Sequence, residues 1–134
     1  MKEPTVNFRT IQKIALSAAL AALCQVATAQ PQSKPSFDCA KATTSVEKAI
    51  CSNPLLGKLD VALAENYKQM MMADLGKGGQ ANVKAEQKQW IQSRNKCQDA
   101  KCLEQSYRKR VDETCEYGVV SGTHPICSMS DDIK

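Results

Sequence analysis

The chain has 134 residues, a formal net charge of +4 and only 4% aromatic residues. That length can bury one modest hydrophobic core. The mild positive charge is not gathered into a dense basic face, which argues against a nucleic-acid binder.

Residues 1–29 read as a secretory signal. Lys2, Arg9 and Lys13 make a basic start opposed only by Glu3, and "IALSAALAALCQVATA" then runs apolar from Ile14 to Ala27-Thr28-Ala29. The order is that of a positive n-region, a short apolar h-region and a small-x-small cleavage site. A membrane span takes roughly 20 apolar residues, so this run is short for one. Cleavage is expected after Ala29, leaving Gln30 to Lys134. The 29 residues carry three bases and one acid, so the remainder has a net charge of +2. Lipid anchoring at Cys24 is disfavoured because Leu23 stands where a small residue is needed. The expected location is periplasmic or secreted.

"QPQSKPS", residues 30–36, is a polar lead-in expected to be disordered. Thr44 with Glu47 fits a capping box, in which each side chain satisfies a backbone donor at the helix start. The spacing predicts a short helix over Ser45 to Cys51. Asn53-Pro54 ends it, and Pro54 suits the first turn of a second helix reaching about Leu75. Leu56, Leu59, Leu63, Tyr67 and Met70 recur there at three or four residues, one apolar face. "GKGG", Gly76 to Gly79, reads as a flexible break before a third helix over about Asn82 to Lys96. That helix carries Val83, Gln87, Trp90, Ile91 and Arg94 along one side. Asp99 is placed to cap a fourth, Ala100 to Cys115, with Leu103, Tyr107, Val111 and Cys115 spaced by four. Nothing alternates with period two and no repeat is visible. The expected fold is all-α: a small disulfide-stapled domain of about four helices over residues 37–114, followed by an irregular loop and tail, residues 115–134.

Seven cysteines become six when Cys24 leaves with the signal. Six allow 15 connectivities, and an oxidising compartment lets disulfides persist. In a chain poor in aromatics, staples worth about 2–4 kcal/mol each matter. A structural zinc site would need paired C-x-x-C knuckles or cysteines with histidines at ligand spacing. Cys97 and Cys102 in "RNKCQDAKC" have neither, and His124 is the one histidine. A thioredoxin-type couple would need C-x-x-C in a strand–helix pattern, also missing. The covalent staple is the preferred reading. Residues five apart in a continuous helix are too far separated at Cα for an unstrained bond, which needs less than about 7 Å. A Cys97–Cys102 bond therefore requires a corner at "QDA". The same local closure suggests Cys39–Cys51 and Cys115–Cys127, as hypotheses.

Catalytic signals are missing: there is no serine elbow, phosphate-cradling glycine loop or zinc-protease helix. No catalytic, cofactor-binding or metal-binding residue is assigned. Met70-Met71-Met72 could suggest copper, but consecutive helical residues point about 100° apart and cannot chelate one ion together.

"FDCAKATTSVEKAIC", "LGKLDVALAENY" and "QKQWIQSRNKCQDAKCLEQSYRKRV" resemble the exported lysozyme-inhibitor-like family of the LprI type, over about Phe37 to Val111. The residues that carry the resemblance are Cys39, Glu47, Cys51, Leu59-Asp60 and Tyr67 in the first half. In the second half they are Gln87, Trp90, Arg94, Cys97, Cys102, Tyr107 and Arg110. The resemblance implies a disulfide-stapled helical fold in the bacterial envelope and suggests inhibition of a lysozyme-type muramidase. Fold transfers along such a likeness better than function does. Trp90, Tyr67 and Tyr107 read most simply as core packing, and Arg94 as an ion-pair partner of Asp60 or Glu47.

The tail lies beyond the resemblance. A Cys115–Cys127 bond would close "EYGVVSGTHPI" into a loop turned by Gly118, Gly122 and Pro125, with Ser121, Thr123 and His124 as surface donors. Lysozymes work with paired carboxylates in a cleft, which a preorganised loop could plug. The plainer reading is a stapled loop with no partner, and the helical body could equally supply the inhibitory face. Many lysozymes are strongly basic, and a net charge of +2 gives no long-range steering toward them. Local acidic residues would have to serve: Asp112, Glu113 and Glu116, with Asp131 and Asp132 beside them. The alternative function is a periplasmic adaptor or immunity module that binds another envelope protein without inhibiting lysozyme.

Overall fold

The computed structural model describes residues 34–134 except residue 121. The expected signal, most of the lead-in and Ser121 therefore lie outside the described residues. Four α-helices follow one another: α1 Ser45–Ser52, α2 Pro54–Met72, α3 Gly79–Arg94 and α4 Ala100–Cys115. Short 3-10 turns at Cys39–Lys41 and Ser130–Asp132 flank them, and no strand occurs among the described residues. The all-α expectation holds.

Local chemistry sets most helix ends. Thr44 Oγ1 accepts from the Glu47 N–H at 3.1 Å, and Glu47 Oε2 accepts from the Thr44 N–H at 3.0 Å, closing the capping box. Asn53 Oδ1 accepts from Leu55 and Leu56 N–H groups to start α2 at Pro54. Asp99 Oδ1 accepts from the Cys102 N–H at 2.8 Å to start α4. Each bond satisfies a donor that the first turn leaves open.

The α2–α3 connection departs from expectation. Helix α2 ends at Met72 rather than near Leu75, and α3 begins at Gly79 rather than Asn82. Gly76 and Gly78 take φ of +71° and +82°, a conformation glycine adopts without penalty. Gly79 presses directly on Leu75, leaving no room for a Cβ. "GKGG" is thus an ordered reversal whose last glycine is already helical.

Helices α1, α2 and α4 enclose the main core: Val46, Ile50, Leu56, Leu59, Leu63, Leu103, Tyr107 and Val111. Burying each such side chain contributes about 1.5–3 kcal/mol. A second cluster forms at the far end of α2 from Met70, Leu75 and Val83, with Tyr67, Met71, Tyr117 and Val119 packed on it. Helix α3 is different. Only Gly79 and Val83 are buried on it, and Ile91, expected on its inner side, is 38% exposed. It is held largely by polar contacts from Gln87, Trp90 and Arg94 to α4.

Disulfides join Cys39 to Cys51, Cys97 to Cys102 and Cys115 to Cys127, with Cα separations of 5.8, 5.5 and 5.5 Å. The second sits at the break between Arg94 and Ala100, where the chain turns from α3 into α4.

Candidate functional site

A polar chain crosses the interior between the lead-in and three helices. Asp60 Oδ2 accepts from the Ser36 N–H and hydroxyl, both at 2.6 Å. Asp60 Oδ1 accepts from the Tyr107 hydroxyl at 2.7 Å, which in turn accepts from Arg94 Nη1 at 2.9 Å. Arg94 thus reaches Asp60 through a phenol instead of by the direct ion pair expected, and Glu47 is occupied at the α1 cap. Burial first, and then the Asp60 carboxylate, push the Tyr107 phenol well above its ordinary value of 10. It therefore remains a donor throughout the neutral range. Trp90 meets Tyr107 edge-on at 5.1 Å, and the Arg94 guanidinium lies 5.3 Å from the Trp90 ring centre. These groups act on one another and hold α3 in place.

Two surface features lie beside this frame. The first is the segment between Cys115 and Cys127. His124 Nε2 lies 3.0 Å from the Tyr117 carbonyl oxygen and its Nδ1 3.0 Å from that of Pro125. The Val120 N–H donates to the Asp74 carbonyl at 2.9 Å, tying the loop to the α2–α3 turn. Gly122 takes φ of +81°. Beyond Cys127 the tail is strapped down: Asp112 accepts from the Ser130 N–H and hydroxyl at 2.7 and 2.8 Å, and Arg108 Nη1 donates to the Ser130 carbonyl at 2.7 Å.

The candidate contact residues fall into separate environments. Thr123 and His124 are both exposed on the loop, but the imidazole nitrogens face the loop's own carbonyls. Asp112 is spent on Ser130. Glu113 is exposed and 3.4 Å from Arg110 Nη1 and 3.7 Å from Lys109 Nζ. Glu116 is exposed just past α4, where its N–H caps the helix on the Asp112 carbonyl. Residues missed by sequence reasoning are Ile126, 94% exposed, and Val120, 71% exposed. Val120 follows Val119 and Ile126 stands between Pro125 and Cys127, so neither shows a periodicity from which its exposure could be read.

The second feature is an open groove of about 580 Å³ between α3 and α4, which reaches the loop at Tyr117. Helix α3 lines it with Glu86, Gln89, Trp90 and Ser93, and α4 with Ser106, Lys109, Arg110 and Glu113. Each set follows the i, i+3, i+4, i+7 spacing of one helix face. Arg110 lies at the bottom, 5% exposed. Its Nε donates to Gln87 Oε1 at 3.1 Å, and its Nη1 is 3.6 Å from Glu86 Oε2. Trp90 Nε1 donates to the Ser106 hydroxyl at 3.1 Å, which fixes the indole in one orientation. Among the described residues, no group of three or more His, Cys, Asp or Glu side chains could hold a metal ion.

A family model described as "Lysozyme inhibitor LprI" matches residues 39–119. The match takes in all four helices, Cys115 and the first part of the loop, and stops before Cys127. No curated protein and no solved structure matches the chain.

Proposed function

The chain belongs to the LprI family of lysozyme inhibitors, and from that premise we propose that it acts outside the cytoplasm, binding a lysozyme-type muramidase and blocking it by surface occlusion. The family match is the observation that carries this reading. Three disulfides support an oxidising location, and among the described residues no helix is long and apolar enough to cross a membrane. The protein works by contact and performs no turnover of its own.

The contact surface is the loop between Cys115 and Cys127. Its neck is closed by a disulfide, its middle is tied to Asp74 and the tail that follows it is strapped to α4. Such a loop loses little conformational freedom on binding. At the surface it offers Ile126 and Val120, with Thr123 beside them and Glu113 and Glu116 nearby. An exposed apolar side chain on a rigid support, bordered by polar groups, has the anatomy of an interface anchor. The neighbouring carboxylates supply local attraction toward a basic partner.

The test is lysozyme turnover on cell walls, titrated with the oxidised protein beside a reduced and alkylated control. Animal and bacterial lysozymes are assayed in parallel. Dose-dependent inhibition lost on reduction is the expected result. No inhibition of any lysozyme type would replace this reading with an adaptor or immunity module that binds another envelope protein.

A further inference from the structure

We propose that the α3–α4 groove is a binding site for a neutral oligosaccharide of N-acetylated amino sugars. It is distinct from the tip of the inhibitory loop, although the two surfaces meet at Tyr117 and Glu113. Four observations point to this ligand chemistry.

The groove is balanced in charge. Glu86 and Glu113 face Lys109 and Arg110, and these groups pair with one another at 3.4–3.7 Å. An anionic ligand would meet both carboxylates and a cationic one both bases, so a neutral ligand is favoured. The volume, about 580 Å³, lies within the roughly 300–1,000 Å³ range of small-ligand sites.

The bottom of the groove holds an unspent donor. Arg110 is buried, and its hydrogen bonds use Nε toward Gln87 and Nη1 toward Glu113. Its Nη2 donates to no group among the described residues. Arg110 lines the open groove, so an acetamide carbonyl entering it can accept from this N–H in place of water.

The walls supply the rest. Trp90 and Tyr117 provide aromatic surface for the methyl group and C–H faces of a sugar. The indole is held by Ser106, Tyr107 and Arg94 before any ligand arrives, so little ordering is needed. Gln89 and Ser93, exposed on the rim, can donate to and accept from ring hydroxyls.

Trp90 is the chain's one tryptophan, so its fluorescence reports on this groove alone. The experiment titrates the oxidised protein with chitotetraose and, in parallel, with maltotetraose and the glucosamine tetramer. A saturable change is expected with chitotetraose, with affinity at least about tenfold weaker for the two sugars that lack acetamides. Ser93→Arg, at an exposed position, should abolish the response while leaving the circular dichroism unchanged. Ile126→Ser should leave it intact. No saturable response, equal response to maltotetraose, or full binding by the Ser93→Arg variant would each overturn the proposal. The assay contains no lysozyme, so its failure is distinct from a failure of the inhibitor reading.

Discussion

Asn66 grips the backbone of Ser128 in both directions. Its Nδ2 donates to the Ser128 carbonyl at 2.8 Å, and its Oδ1 accepts from the Ser128 N–H at 2.9 Å. The same Nδ2 donates to the Val111 carbonyl at 3.1 Å, so one buried amide joins α2, α4 and the tail. Asn66→Ala is expected to lower stability by about 1–3 kcal/mol, since the Val111 carbonyl is left without this donor. Urea unfolding measures the loss. Limited proteolysis should then cut within residues 128–134 faster than it does in the parent protein.

Tyr107→Phe keeps the ring in the core and removes only the oxygen that links Asp60 to Arg94. The expected loss is again about 1–3 kcal/mol, the scale for leaving buried partners unsatisfied. Asp60→Asn in the same background should cost less than it does alone, because the bond it weakens is already gone. Additive losses in this cycle would show that the two side chains do not act as a unit.

Ile126→Ser removes the most exposed large apolar side chain and touches no core residue. Inhibition is expected to weaken by at least about 30-fold, the scale of an interface anchor worth ~2 kcal/mol. The melting temperature should not move. Met72→Ser, 65% exposed on α2, serves as a control that should inhibit normally. Equal potency of the two variants would exclude the loop as the contact surface.

How much could be read from sequence alone depended on range. Thr44 with Glu47, Pro54 and Asp99 act within one turn of their own helix, so the starts of α1, α2 and α4 were legible. The start of α3 was not, because it depends on Gly79 packing against Leu75. Arg94 was recognisable as a cation needing a partner, yet its route to Asp60 runs through a phenol on a third helix. Asn66 gave no signal at all: an amide in a helix looks alike whether it faces solvent or holds a tail 62 residues away. The loop's boundaries followed from the cysteines, while its exposed Ile126 emerged only from the fold.

The α1 cap gives a pH prediction. Backbone N–H bonds from Thr44, and then Thr43, hold the Glu47 carboxyl below its ordinary value of 4.5. A carboxyl whose folded value is depressed stabilises fully above its unfolded value, and the contribution is lost as pH falls through the folded one. Wild type should therefore be more stable than Glu47→Gln at pH 6, with the gap closing as pH drops below about 4.5. Thermal unfolding of both proteins between pH 6 and pH 3 measures it. A gap that stays constant would assign the difference to something other than the carboxylate.

Gly76→Ala tests the seat of the loop. A Cβ on Gly76 would lie 2.8 Å from Val120 Cγ2 and would have to adopt a φ of +71°. The expected loss is about 1–2 kcal/mol from the backbone alone. Inhibition should fall as well, because Val120 must move. Unchanged potency beside reduced stability would show that Val120 plays no part in binding.

The three disulfides each join a cysteine to the next one along the chain, at separations of 12, 5 and 12 residues. Their rings do not overlap, so each bond can close as soon as its own second cysteine becomes available, whatever the others have done. This is one arrangement out of 15, and it makes strictly sequential oxidation productive, with no rearrangement of earlier bonds. It also means that no disulfide among the described residues ties α2 to α4. Their alignment rests on the leucines between them, on Tyr107 with Asp60, and on Asn66.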